Sequence, residues 1–129
     1  MILAIETVSP EKYRLQILAH LGSLVPNAIM ELKDRDSNEL KSCKLSKDNI
    51  DFLIGLFEDE SSFSFYDDIE DTNSNYLVIY SNTGAALLRV RGNIFTYEGI
   101  QFILEIRERT AQTLLEGVFQ RRRRKCQKK

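Results

Sequence analysis

Nine carboxylates stand between Lys47 and Arg89 with no basic residue among them: Asp48, Asp51, Glu58, Asp59, Glu60, Asp67, Asp68, Glu70 and Asp71. A run of this kind can attract a basic partner at long range and repel acidic ones. The aromatics inside it can supply the buried anchors that interfaces favour. The run therefore nominates Glu58, Asp59, Glu60, Asp67, Asp68, Glu70 and Asp71 as partner-binding residues, with Phe63 and Tyr66 as anchors. The competing reading is a solvated loop that keeps the domain soluble.

Carboxylates also bind hard cations. The nearest match to a calcium loop starts at Asp71-Thr72-Asn73-Ser74-Asn75. Such a loop needs Gly at its sixth position and Glu at its twelfth. Here those positions are Tyr76 and Asn82, so no metal site is expected. One histidine and no Cys-x-x-Cys also leave zinc without ligands.

The opposite charge collects at residues 121–129, RRRRKCQKK, which carry seven cations and no acid. Removing these seven from the chain's 18 basic residues leaves 11 against 19 acidic ones in residues 1–120, a body near −8. Arg121, Arg122, Arg123, Arg124 and Lys125 could grip phosphates in a salt-sensitive, sequence-independent way. In a eukaryote the same run could be a nuclear address. No aromatic is interleaved to stack on bases, and the acidic body repels phosphate.

Gln112 to Phe119 partly resembles the sliding-clamp-binding box, Gln-x-x-aliphatic-x-x-aromatic-aromatic. It departs at Val118, and Leu115 and Val118 lie on the apolar face of an expected helix, so core packing is the reading adopted. Glu31 to Lys33 and Glu39 to Lys41 are similar to the Glu-x-Lys half of a metal-dependent nuclease site, but no Asp precedes Asp34 to complete the first. His20 lies at a helix edge with no nucleophile pattern nearby. No phosphate loop, dinucleotide fingerprint or nucleophile elbow is present. No catalytic residue and no cofactor is expected.

These residues need elements to position them. Residues 2–8 read as a strand. Ser9-Pro10-Glu11 starts a helix, with Ser9 as N-cap and Pro10 at the first helical position. Tyr13, Ile17, Leu18, Leu21 and Leu24 share one side of it. Residues 28–45 read as a hairpin turning at Arg35-Asp36-Ser37-Asn38. Ser46 caps a second helix whose Ile50, Leu53, Ile54 and Phe57 follow helical spacing. Residues 61–75 read as an acidic loop with a brief strand at Phe63 to Tyr66. Residues 76–81 and 85–91 form a second hairpin across Asn82-Thr83-Gly84, and a short strand follows at Ile94 to Tyr97.

A long last helix is expected from near Gly99 to about Gln120. Its apolar face would carry Ile100, Ile103, Leu104, Ala111, Leu114, Leu115 and Val118, with Arg107 intruding.

This order predicts an α+β fold: a single domain over residues 1–120 with a mainly antiparallel sheet, about three helices and a long C-terminal helix, then a flexible basic tail over 121–129. No apolar stretch approaches the ~18 residues of a membrane helix. Residues 1–12 have no basic leader and break their apolar run at Glu6, so no export signal is expected. Cys43 and Cys126 read as unpaired, which suits the cytoplasm, or the nucleus in a eukaryote. The function expected is non-catalytic. The acidic surface would dock on a basic protein as an immunity protein docks on a nuclease toxin, or an inhibitor on a nucleic-acid enzyme. The alternatives are a nucleic-acid-associated subunit acting through the tail and a structural subunit dimerising through the last helix.

Overall fold

The computed structural model describes residues 9–24, 28–69, 72–106 and 109–127; of Glu60 and residues 121–127 only the backbone is described. The strand expected over residues 2–8, and Arg107, lie outside the described residues.

Helix α1 spans Pro10–Gly22. Ser9 occupies its N-cap with extended backbone angles, but its side chain makes no capping bond. Pro10 has no N–H to leave unsatisfied, which suits the first turn. Strands β1 (Ile29–Lys33) and β2 (Glu39–Lys44) form the first hairpin. Asp34 organises the turn: its Oδ1 accepts the N–H groups of Asp36 and Asn38, each at 2.9 Å. These bonds, led by that of Asn38, hold the Asp34 carboxyl below the usual range.

Helix α2 spans Lys47–Phe57 and opens with a capping box. Ser46 Oγ accepts the Asn49 N–H at 3.2 Å, and Asn49 Oδ1 accepts the Ser46 N–H at 3.1 Å. Ser46→Ala is expected to cost about 1 kcal/mol in urea unfolding, because an orphan helix N–H loses its acceptor.

A short 3-10 turn at Glu60–Ser62 leads into β3 (Phe63–Phe65). Then follow β4 (Tyr76–Tyr80), β5 (Ala86–Arg91), β6 (Ile94–Tyr97), β7 (Ile100–Leu104) and helix α3 (Ala111–Gln127). The seven strands form one sheet in the order β2-β1-β4-β5-β6-β7-β3, and every neighbouring pair is antiparallel. The molecule is an α+β single domain.

The last helix does not begin near Gly99. Residues 100–104 are strand β7, paired with β6 and β3. Glu98 and Gly99 both take positive φ, 52° and 78°, and so form the two-residue primed turn that closes a tight hairpin. The Ile100, Ile103 and Leu104 spacing fits a helix, but strand alternation sends Phe102 and Leu104 to one face and Gln101 and Ile103 to the other. Helix α3 is positioned instead by the β5–β6 turn. Asn93 Oδ1 accepts the Ala111 N–H at 2.5 Å, the Gly92 carbonyl accepts the Gln112 N–H at 2.9 Å, and Thr110 Oγ1 accepts the Thr113 N–H at 3.1 Å.

All three helices cover one face of the sheet. Ile17 and Leu21 of α1, Leu53 and Phe57 of α2, and Ala111, Leu115, Val118 and Phe119 of α3 join a single core. Met30, Leu77, Ile79, Leu88, Val90, Phe95, Tyr97, Phe102 and Leu104 supply its sheet side. The alternate strand residues line the face without helices.

Candidate functional site

The acidic residues divide into two groups at opposite ends of β3, whose three residues span about 10 Å. At its start, Glu58 is exposed at the C-cap of α2. Asp59 is exposed too, but its carboxylate serves the local turn. Oδ1 accepts from Ser61 Oγ at 2.8 Å and Ser61 N at 3.0 Å, and Oδ2 accepts from Ser62 Oγ at 3.0 Å. The Ser61 hydroxyl, followed by that of Ser62, holds this carboxyl below the usual range.

Phe63 is not a surface anchor. It is 6 % exposed, and its ring stacks on Phe102 with centroids 4.7 Å apart. Strand parity explains the correction: as the first residue of β3, Phe63 points into the core beside Leu104.

At the far end of β3 the chain leaves the sheet edge. The Tyr66 N–H donates to the Gln101 carbonyl at 3.0 Å, and Gln101 Nε2 donates to the Asp68 carbonyl at 2.9 Å. One residue of β7 thus pins the start of the β3–β4 loop. Tyr66 is half-buried, whereas Asp67 and Asp68 are exposed. Between these acids and the next ones stands Ile69, 86 % exposed, the most exposed large apolar side chain among the described residues. Glu60's side chain, Glu70, Asp71 and the side chains of Arg121, Arg122, Arg123, Arg124 and Lys125 lie outside the described residues.

The helix-free face presents a second constellation. Cross-strand pairing sets Ser42, Glu31, Val78, Arg89, Thr96 and Gln101 in one row across β2, β1, β4, β5, β6 and β7. Beside it, Arg89 and Arg91 bring their guanidinium carbons 5.8 and 4.5 Å from the Tyr76 ring centroid, within cation–π range. Tyr80 Oη donates to Glu31 Oε1 at 2.8 Å, and Lys33 Nζ lies 3.7 Å from the same oxygen. Burial pushes the Tyr80 hydroxyl up, and the hydrogen bond to Glu31 adds to it. Lys33 is raised chiefly by the Tyr80 hydroxyl. Both shifts run away from neutral pH, so this pair is not poised to move a proton there.

No family model, no curated protein and no solved structure matches this chain.

Among the described residues, no group of three His, Cys, Asp or Glu side chains could hold a metal ion. The two Glu-Leu-Lys triplets pair across β1 and β2, with Lys33 opposite Glu39 and Leu32 opposite Lys41. His20 is exposed at the end of α1, its ring 6.0 Å from that of Tyr97. In the stretch similar to a clamp-binding box, Leu115, Val118 and Phe119 are buried in the core. The buried residues of α3, Ala111, Leu115, Val118 and Phe119, face the core. No helix among the described residues is long and apolar enough to cross a membrane.

Sequence reasoning missed Ile69 because a lone apolar residue in a polar loop carries no periodic signal. It also missed the constellation on the helix-free face. The alternation in residues 86–91 sets Arg89 and Arg91 on one side, but their companions come from other strands.

Proposed function

We propose that the chain is a non-catalytic binding protein whose β3–β4 loop docks on a basic protein surface. One observation carries this reading: Ile69 stands in solvent directly after two exposed carboxylates, Asp67 and Asp68, on a loop tied to the sheet. Burying an isoleucine side chain contributes about 1.5–3 kcal/mol. An apolar anchor ringed by charge is the arrangement in which hot spots form. The carboxylates steer encounter and choose a partner rich in Lys and Arg. Glu58, Asp59, Glu60, Glu70 and Asp71 extend the acidic field. Occlusion is the mechanism: carboxylates take the positions where the partner's cations would hold phosphate. In this reading the protein works in the cytoplasm, where the buried Cys43 remains a thiol.

The test starts with a basic protein captured from nuclease-treated lysate by the wild-type chain, then purified and titrated. Ile69→Ser should weaken binding about 10- to 100-fold. Asp67→Lys with Asp68→Lys should weaken it by at least about 100-fold. Lys47→Glu, an exposed side chain at the start of α2, should leave affinity within about 2-fold. Equal affinity across all of these variants would remove the loop from the interface.

A second reading rests on the seven cations of residues 121–129. There the tail grips phosphate. Truncation after Gln120 would then abolish oligonucleotide binding, and affinity would fall steeply with salt.

A further inference from the structure

We infer a second binding site, bordering the base of the loop but centred on the sheet: the groove on the helix-free face of the sheet takes a small organic anion. Arg89 and Arg91 hold its phosphate or carboxylate, and its apolar body lies along Val78, Leu87 and Tyr80.

Two adjoining cavities, about 410 and 400 Å3, share Arg89 and Thr96 in their walls. Each alone falls in the range that holds a small ligand. The first is lined by Arg89 and Arg91 together with Thr96 and Gln101 of the sheet and Tyr66 and Ser74 of the loop. Arg89 and Arg91 are two apart on β5, so alternation sends both to this face. Both lie against one tyrosine ring, and each makes a further interaction within the chain. Held in this way they lose little freedom when a ligand arrives, which is where preorganisation gains affinity. A guanidinium carries five N–H donors in a planar fork, so it can keep a contact within the chain and still meet an oxyanion.

The charge in the walls favours an anion: Arg89 and Arg91 line the first cavity with no carboxylate among the described residues of its wall, and the second has Lys33 and Arg89 against Glu98. Glu31, in the same cross-strand row as Arg89, is engaged by Tyr80 and Lys33 and lies two strands away, about 10 Å. The second cavity continues the first with an apolar floor. Val78 is buried although it lies on the helix-free face, and Leu87 and Tyr80 flank it. A charged head beside an apolar body is the complementary shape. Phosphate and carboxylate present the same oxyanion to the fork, and the choice between them is left to experiment.

The test is an amide-resolved NMR titration of the full chain with phenyl phosphate, 3-phenylpropionate and inorganic phosphate. Phenyl phosphate or 3-phenylpropionate should saturate at a Kd of about 1 mM or tighter, with shifts centred on Val78, Arg89, Arg91 and Thr96. The tighter of the two names the head group. Inorganic phosphate should bind at least about 10-fold more weakly, since it has no body to bury. Arg89→Gln with Arg91→Gln should abolish saturation. Should that pair unfold the protein, Arg89→Lys with Arg91→Lys keeps the charge, removes the fork and should cost about 10-fold. Ile69→Ser should change nothing here, so this site and the loop fail independently. No saturable shift by 10-fold the expected Kd, shifts centred elsewhere, or unchanged affinity in the lysine pair would overturn the site. Equal affinity for inorganic phosphate would overturn the apolar half of it.

Discussion

Phe102→Ala is expected to destabilise the fold by about 3–5 kcal/mol, whereas Ile103→Ala should cost about 1 kcal/mol. Phe102 is 0 % exposed at the centre of an aromatic cluster. Its ring centroid lies 4.7 Å from that of Phe63, 5.4 Å from Phe65 and 5.5 Å from Tyr13. Truncation removes contacts with β3 and α1 together, leaving a cavity that a paired strand cannot collapse to fill. Ile103 is the next residue, but it faces the helix-free side and is half-buried. Out of a total stability of roughly 5–15 kcal/mol the first loss is large. It corresponds to a fall in Tm of about 10–20 °C for a chain of this size. The order of the two variants separates a strand from a helix at this segment, because a helix starting near Gly99 puts Ile103 on the apolar face. Equal losses in thermal unfolding would contradict β7.

Arg14→Ala is expected to cost about 2–4 kcal/mol. Arg14 is the one charged side chain that is buried among the described residues, at 7 % exposure. Its Nη1 donates to the carbonyls of Phe57 at 2.7 Å and Glu58 at 3.2 Å. Those carbonyls belong to the end of α2, where the helix has no N–H donors of its own to offer them. Its Nε and Nη2 donate to both oxygens of Glu11, at 2.7 and 2.6 Å. This bond holds the Glu11 carboxyl below the usual range. One guanidinium therefore closes α2 and ties α1 to it. Alanine leaves the Phe57 carbonyl buried without its donor, and lysine recovers only part of the loss because it has no fork. Urea unfolding at neutral pH measures both; a lysine variant as stable as wild type would show that the charge, not the fork, carries the effect.

Much of the architecture was legible locally. Pro10, Ser46, Arg35 to Asn38, and Asn82 to Gly84 mark starts and turns by their own chemistry, and the first two helices and two hairpins follow them. Residues 98–104 were not legible in the same way. Glu-Gly is a weak turn signal beside Asn-Gly, and five residues containing Ile100, Ile103 and Leu104 satisfy helical spacing as well as strand alternation. Pairing on both sides, with β6 and with β3, decides for the strand, and pairing is not a local property. Arg14 has the same lesson: it lies on the inward side of α1 at Ile17 minus three, yet the carbonyls it closes are more than 40 residues away. The acidic run was legible as composition. Which of its apolar neighbours faces solvent was not. Phe63 falls on a strand and turns inward, while Ile69 falls beyond the strand's end and stays outside.

The most direct measurement is amide hydrogen exchange on the wild-type chain with and without the captured basic partner. Slowed exchange over Tyr66 to Ile69, with β2 and the end of α3 unchanged, is the predicted result. Protection over α3 or the helix-free face, with residues 66–69 exchanging as in the free chain, would contradict docking through this loop.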